Sequence, residues 1–272
     1  MKKLIAFALS LLMVVGLSTG TMAASDPKSV YQAAMEKTAQ LPSTDMSMKM
    51  DGTISVAGQS MDYSATVGAK VVQKSQYDFD MAMNMQMNIM GVSVIYNTYY
   101  TDGYYYMDLL GQKMKMEMNL KEAMEQIASM GGGFLDGTEY LSDFSMDGNK
   151  ITYTMKADAL NQVLDRVLGE ELNYLDLAEE DIGVQMSDFK GTAVIDSNGY
   201  LAEESVSGAI ETQTMGETVS MTMNMQVIYN NPGQPVSITM PDLSDYVEME
   251  IPGLDTSSEY DDMFYTDEVI II

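Results

Sequence analysis

"MAMNMQMNIM", residues 81–90, sets a methionine at Met81, Met83, Met85 and Met87, with small or amide side chains between them. Successive side chains of a β-strand point to opposite faces, so a residue type repeated at every second position lines one face. The stretch therefore reads as a strand with a thioether face and a wet face. The same spacing recurs in "MSMKM" (Met46, Met48, Met50), "MKMEM" (Met114, Met116, Met118) and "MTMNM" (Met221, Met223, Met225); the four runs hold nearly half of the 29 methionines.

Outward from this stretch the alternation continues. "MSMKMDGTISVAG" and "MDYSATVGAKV" before it keep their apolar residues two apart, as does the full run "FDMAMNMQMNI". Strands of this length joined by short turns predict an antiparallel meander with one buried and one solvated face. In "YNTYYTDGYYYMDLLGQKMKMEMNL" the meander turns at Asp102-Gly103 and at Gly111-Gln112. "TEYLSDFSMDGNKITYTMKA" predicts a hairpin at Asp147-Gly148, and "VQMSDFKGTAVIDSNGYLAEESVSGAIETQ" another at Asn198-Gly199. "TVSMTMNMQVIYNN" is a further strand, and "QPVSITMPDLSDY" a last short strand or extended segment. Three helices punctuate the strands. One spans residues 27–40, with Ser25 or Asp26 as cap, Pro27 in the first turn, Pro42 as stop, and Val30, Ala34, Thr38 and Leu41 as its apolar stripe. A second, near 120–130, stops at Gly131-Gly132-Gly133; a third, near 157–168, carries Leu160, Val163, Leu164 and Val167 on one side.

The ends differ in character. Lys2 and Lys3, the apolar run Leu4–Leu17 and small residues at Thr21 and Ala23 predict a secretory signal peptide over 1–24, cut near Ala23 or Ala24. The run is too short to span a bilayer comfortably, and no second run approaches that length. Without cysteine there is no lipobox, no disulfide framework, no thiolate metal site and no thiol nucleophile. The expected location is secreted or extracytoplasmic. No linker divides the middle, so residues 25–251 form one expected domain, followed by an acidic mobile tail at 252–272. The formal charge is −26; the last basic residue is Lys190, and the chain beyond it carries 15 Asp and Glu. Such a surface repels nucleic acid and anionic membranes and favours solubility.

The element order resembles the lipoprotein-carrier fold of LolA, LolB, RseB and LppX. "VYQAAMEKTAQLPSTDMSMKMDGTISV", "YYTDGYYYMDLLGQKMKMEM" and "PVSITMPDLSDYVEME" look like the helix plus first strand, the middle hairpin and the closing strand of exported Gram-positive proteins of that group, over residues 26–250. The resemblance implies a mainly β (α+β) fold: a curved antiparallel half-barrel of about eleven strands with helices covering its concave face. Two features depart from the pattern. The lipobox cysteine of many relatives is missing, and Arg166, beside Asp165 on the third predicted helix, does not align with the buried arginine of LolA-type carriers.

Three readings compete for the methionines: core filler, lining of a cavity for a hydrophobic ligand, or soft-metal ligands. Alternate residues lie about 6.6–6.8 Å apart along a strand, and no histidine or cysteine completes a coordination shell, so a metal is disfavoured. Met specifies packing poorly, which suits a surface that repacks around variable chains. The expected ligand-lining set is Met46, Met48, Met50, Met81, Met83, Met85, Met87, Met114, Met116, Met118, Met221, Met223 and Met225. Its expected partner is a lipid acyl chain or other hydrophobic small molecule, with no cofactor. The tyrosines from Tyr96 to Tyr106 read as cross-strand pairs, and the acidic "GEELNYLDLAEEDIG" as solvated helix ends rather than a calcium loop. No histidine or cysteine offers a nucleophile–base pair, and no carboxylate pair stands out among 40 acidic residues. The expectation is a non-enzymatic, lipid-carrier-like binder. The alternative is an envelope sensor or interaction module of RseB type, with a filled core and a cell-envelope protein as partner.

Overall fold

The computed structural model describes residues 26–75, 78–89, 91–119, 138, 140–161, 183–214 and 217–248. The expected signal peptide, the helix at 120–130, most of the helix at 157–168 with Arg166, the acidic stretch after it and the tail at 252–272 lie outside the described residues. Of the third helix, 157–161 is described and is helical.

Helix α1 spans Pro27–Ala39. Asp26 caps it, its Oδ2 accepting from the Ser29 backbone N–H at 3.3 Å, with Pro27 at the first helical position, where its missing N–H costs nothing. Its buried side is Tyr31, Ala34 and Thr38, so Tyr31 joins the stripe that the sequence suggested for Val30 and Leu41.

Among the described residues thirteen strands form one sheet. They are β1 (Ser43–Val56), β2 (Gln59–Ser75), β3 (Asp78–Ile89), β4 (Val92–Thr101), β5 (Tyr104–Leu109), β6 (Gln112–Glu117), β7 (Leu141–Asp147), β8 (Lys150–Met155), β9 (Gly183–Met186), β10 (Phe189–Ile195), β11 (Leu201–Thr214), β12 (Glu217–Tyr229) and β13 (Val247–Glu248). Their spatial order is β13-β6-β5-β4-β3-β2-β1-β12-β11-β10-β8-β7, with β9 also against β11. The sheet is large, curved and open, and does not close into a barrel. Two meanders, β1–β6 and β7–β12, meet where the first strand pairs with the twelfth, from Met46 against Tyr229 to Val56 against Val219.

The count exceeds the expected eleven for local reasons. "VQMSDFKGTAVI" breaks into β9 and β10 at Ser187-Asp188; there the Ser187 hydroxyl accepts from Ala209 N–H at 2.8 Å, while Asp188 Oδ1 turns away to the N–H of Ala157 at 2.9 Å. "QPVSITM" makes no ladder; Pro235 and Pro241 supply no N–H, and the strand lies beyond it, in β13, which runs parallel to β6 rather than antiparallel. The Asp102-Gly103 turn forms as expected, with both residues at positive φ (51° and 81°), the geometry of a two-residue hairpin. The next turn sits one residue earlier than the sequence suggested, at Leu110-Gly111, held by Asp108 Oδ1 accepting from Gly111 N–H at 3.0 Å.

The register aligns the apolar positions into continuous rows across the sheet. One row runs Tyr229, Met46, Ala69, Met83, Thr98, Met107, Met114; the next runs Val227, Met48, Val67, Met85, Tyr96, Leu109. The other face carries the amides, hydroxyls and charges, tied laterally by pairs such as Asn84–Asn97, Thr53–Thr222 and Ser145–Thr152. Helix α1 lies on the apolar face at the β7–β11 end, where Tyr31 and Ala34 pack with Ile151, Tyr153, Ala193, Ile195 and Leu201.

Candidate functional site

Every expected methionine except Met118 lies in a strand, and all of these point to the apolar face. Met46, Met48 and Met50 of β1 stand between Met81, Met83, Met85 and Met87 of β3, one strand away, and Met221, Met223 and Met225 of the adjacent β12. Met50 and Met225 are directly opposed, which brings their Cβ atoms to about 4.5–5.5 Å.

The face is not uniform. Toward β5 and β6 it is packed: Met81, Tyr100, Tyr105 and Met107 are buried together, with Phe79, Met114, Met116 and Met118 against them. Met81 and Met83 are 2% and 7% exposed. Met107 belongs to this cluster and escaped the sequence reading because it stands alone in "YYYMDL", outside any methionine run. Toward the seam the methionines loosen: Met46, Met48, Met50, Met85, Met87, Met221, Met223 and Met225 are all half-buried. The tyrosine pairs form as expected, Tyr99 opposite Tyr106 and Tyr100 opposite Tyr105.

Three glycines give the face its contour. Tyr153 lies flat across Gly191, where an added Cβ would stand 2.1 Å from the ring; Phe189 covers Gly208 in the same way, at 2.0 Å. Tyr63 crosses Gly52 to donate to the Thr222 carbonyl at 3.0 Å. A ring laid over a bare backbone lets strands bend without a side-chain clash.

At the border between the helix-covered end and the open methionines stands a carboxyl group. Glu204 pairs with Ala193 on one side and Val227 on the other, in the same row as Met48 and Met85. Its Oε1 accepts from the Tyr31 hydroxyl of α1 at 2.5 Å and from the Tyr153 hydroxyl of β8. Burial raises its pKa above the usual glutamate value, and the two phenols pull it back down. Burial first, and then the nearby Glu204 charge, push the Tyr31, Tyr153 and Tyr229 hydroxyls up. The sequence carried a signal for this group: in "LAEESVSGAI" Glu204 occupies the inward parity with Val206 and Ile210.

Two shallow open grooves, of about 500 and 280 Å³, lie on the wet face; Asp51 and Asn224 line both. Among the described residues no cluster of three His, Cys, Asp or Glu could hold a metal ion, and no helix is long and apolar enough to cross a membrane.

Residues 26–243 match the model of DUF6612, a family of unknown function. The chain belongs to the DUF6612 family. Among solved structures, this DUF6612 chain is similar to LprF from Mycobacterium bovis at 14% identity, covering 79% of this chain and 96% of that one with a TM-score of 0.35. A DUF1329 family protein from Desulfovibrio piger ATCC 29098 is similar at 10% identity, over 78% and 96% of the two chains, with a TM-score of 0.26. A comparison with curated proteins gives no match.

Proposed function

We propose that this DUF6612 protein is an exported, non-catalytic binder that holds an acyl chain or a similar apolar molecule against the methionine face, in the manner of a lipid carrier. One observation carries the reading. The register gathers half-buried methionines of β1, β3 and β12 into one continuous patch, while α1, described on the same face, packs to one side of it against β7, β10 and β11. Unbranched thioether side chains adapt to ligands of varied shape. Each methylene of a chain buried there contributes about 0.8 kcal/mol before ordering costs. The packed cluster around Met81 and Tyr105 favours the second reading, an interaction module with a filled core, for its own end of the sheet.

Titration with a fluorescent fatty acid, alongside thermal melts of Met85→Trp and Met223→Trp, separates the two. On the binding reading the parent binds and each variant loses binding with little change in melting. On the filled-core reading the parent does not bind, and each indole overpacks the face and destabilises by about 1–3 kcal/mol.

A further inference from the structure

We infer that the seam half of the methionine face is a reversible oxidation site, at which hypochlorous acid or a peroxide converts half-exposed thioethers to sulfoxides and thereby releases an apolar ligand. The release step rests on the function proposed above; the oxidation step does not.

Composition restricts where such an oxidant can act. The chain has no cysteine, no histidine and no tryptophan, so methionine sulfur is its fastest two-electron reductant. The pleat then places the reactive sulfurs together. Met48 and Met50, Met85 and Met87, and Met223 and Met225 all project from one face and are half-buried. Met81 and Met83, in the same strand as Met85, are almost fully covered. One strand thus carries both a protected pair and an accessible pair.

The chemistry is an oxygen-atom transfer. In net terms sulfur gains one oxygen and is oxidised by two electrons, while the chlorine of hypochlorous acid is reduced to chloride with release of a proton. With hydrogen peroxide the same transfer leaves water. Each sulfoxide sets a strong acceptor on a formerly apolar patch. The opposed pair Met50 and Met225 concentrates these dipoles at the middle of the sheet. The backbone ladder holds none of the reacting atoms, Met81, Met83 and Met107 are covered, and Met146 of β7, 44% exposed, reacts away from the seam. The expected product is a folded sheet with a wet face, and methionine sulfoxide reductases restore it.

The experiment is a hypochlorite titration of the intact protein. Peptide mass spectrometry follows each methionine, circular dichroism follows the fold, and fatty-acid fluorescence follows binding. Expected are oxidation of Met48, Met50, Met85, Met87, Met223 and Met225 ahead of Met81 and Met83, retained β-signal, and affinity weakened about tenfold or more as these sulfoxides accumulate. Treatment with both reductases should return the affinity. A variant with these six residues and the remaining seam methionines, Met46 and Met221, replaced by leucine, a change of similar volume, should show no change in its own affinity on oxidant treatment. Oxidation of Met81 and Met83 at the same rate as the six, or loss of the β-signal at the first sulfoxides, overturns the site. Unchanged affinity of the oxidised parent overturns the release step. A parent that binds no fatty acid before oxidation defeats the proposed function and the release step with it, while the oxidation order still decides the site.

Discussion

Glu204 is the residue where the two halves of the apolar face touch, and it sets a pH dependence. Between the ordinary glutamate value of 4.5 and the raised value in the fold, the folded chain keeps a proton that the unfolded chain has released. Stability from this group is therefore whole below that window and falls as pH rises through it. Glu204→Gln keeps an acceptor for Tyr31 and Tyr153 and removes the titration. Its melting temperature should gain on the parent as pH is raised from about 4.5 to about 8; a gap that stays constant over that range contradicts the assignment. Tyr31→Phe removes one of the two phenol donors to Glu204 and should cost about 1–3 kcal/mol, read by urea unfolding. Glu204 shares its parity with Val206 and Ile210, whereas Leu201 at the start of the strand shares its parity with Glu203, and the bulge beside Ile195 resets the register, so parity did not single out Glu204. Its partners were not legible, because Tyr31 stands 173 positions away and meets it through the packing of α1 on β11.

Elements were read best where one residue's spacing decides its face. The thioether runs fixed strand and face together, since a slip of one residue would turn every methionine into water. Breaks were harder to read. Nothing within "VQMSDF" shows that the Ser187 side chain replaces a ladder bond, or that Asp188 serves the N–H of Ala157 in the next element back. The strand glycines show the same limit from the other side. Gly191 and Gly208 are bare because a ring from a neighbouring strand occupies the space, whereas Gly68 has nothing within 4 Å of an added Cβ. Gly191→Ala and Gly208→Ala should each destabilise by about 1–3 kcal/mol through displacement of Tyr153 or Phe189. Gly68→Ala should be neutral or stabilise by up to about 1 kcal/mol by stiffening the unfolded chain. Chemical denaturation ranks the three, and an equal cost at all of them would show that the rings are not what keeps the first two positions bare.

For the whole molecule the dominant long-range force is its own charge. With 40 acidic residues against 14 basic ones, compaction brings like charges together, and ion pairs such as Lys74 with Asp80 (2.7 Å) and Lys156 with Asp143 (2.8 Å) are partly or largely exposed and offset little of it. Raising sodium chloride to about 0.5 M shortens the screening length and should lift the melting temperature by several degrees; a fall would mean that attractive surface pairs outweigh the repulsion. Composition made this legible before any coordinate. The shared face of distant methionine runs was not, since period two fixes orientation within a strand and leaves open which strands become neighbours. The pairing of β1 with β12 supplied that answer. It also has a consequence for a chain made from its N-terminus onward. The ribosome delivers β1 early and its outer neighbour nearly last, so throughout most of translation one side of β1, from Met46 to Val56, offers unsatisfied amides and carbonyls to any nascent strand nearby. A product that stops short of Glu217 would carry that open template permanently, and self-templated aggregation is the fate expected of it.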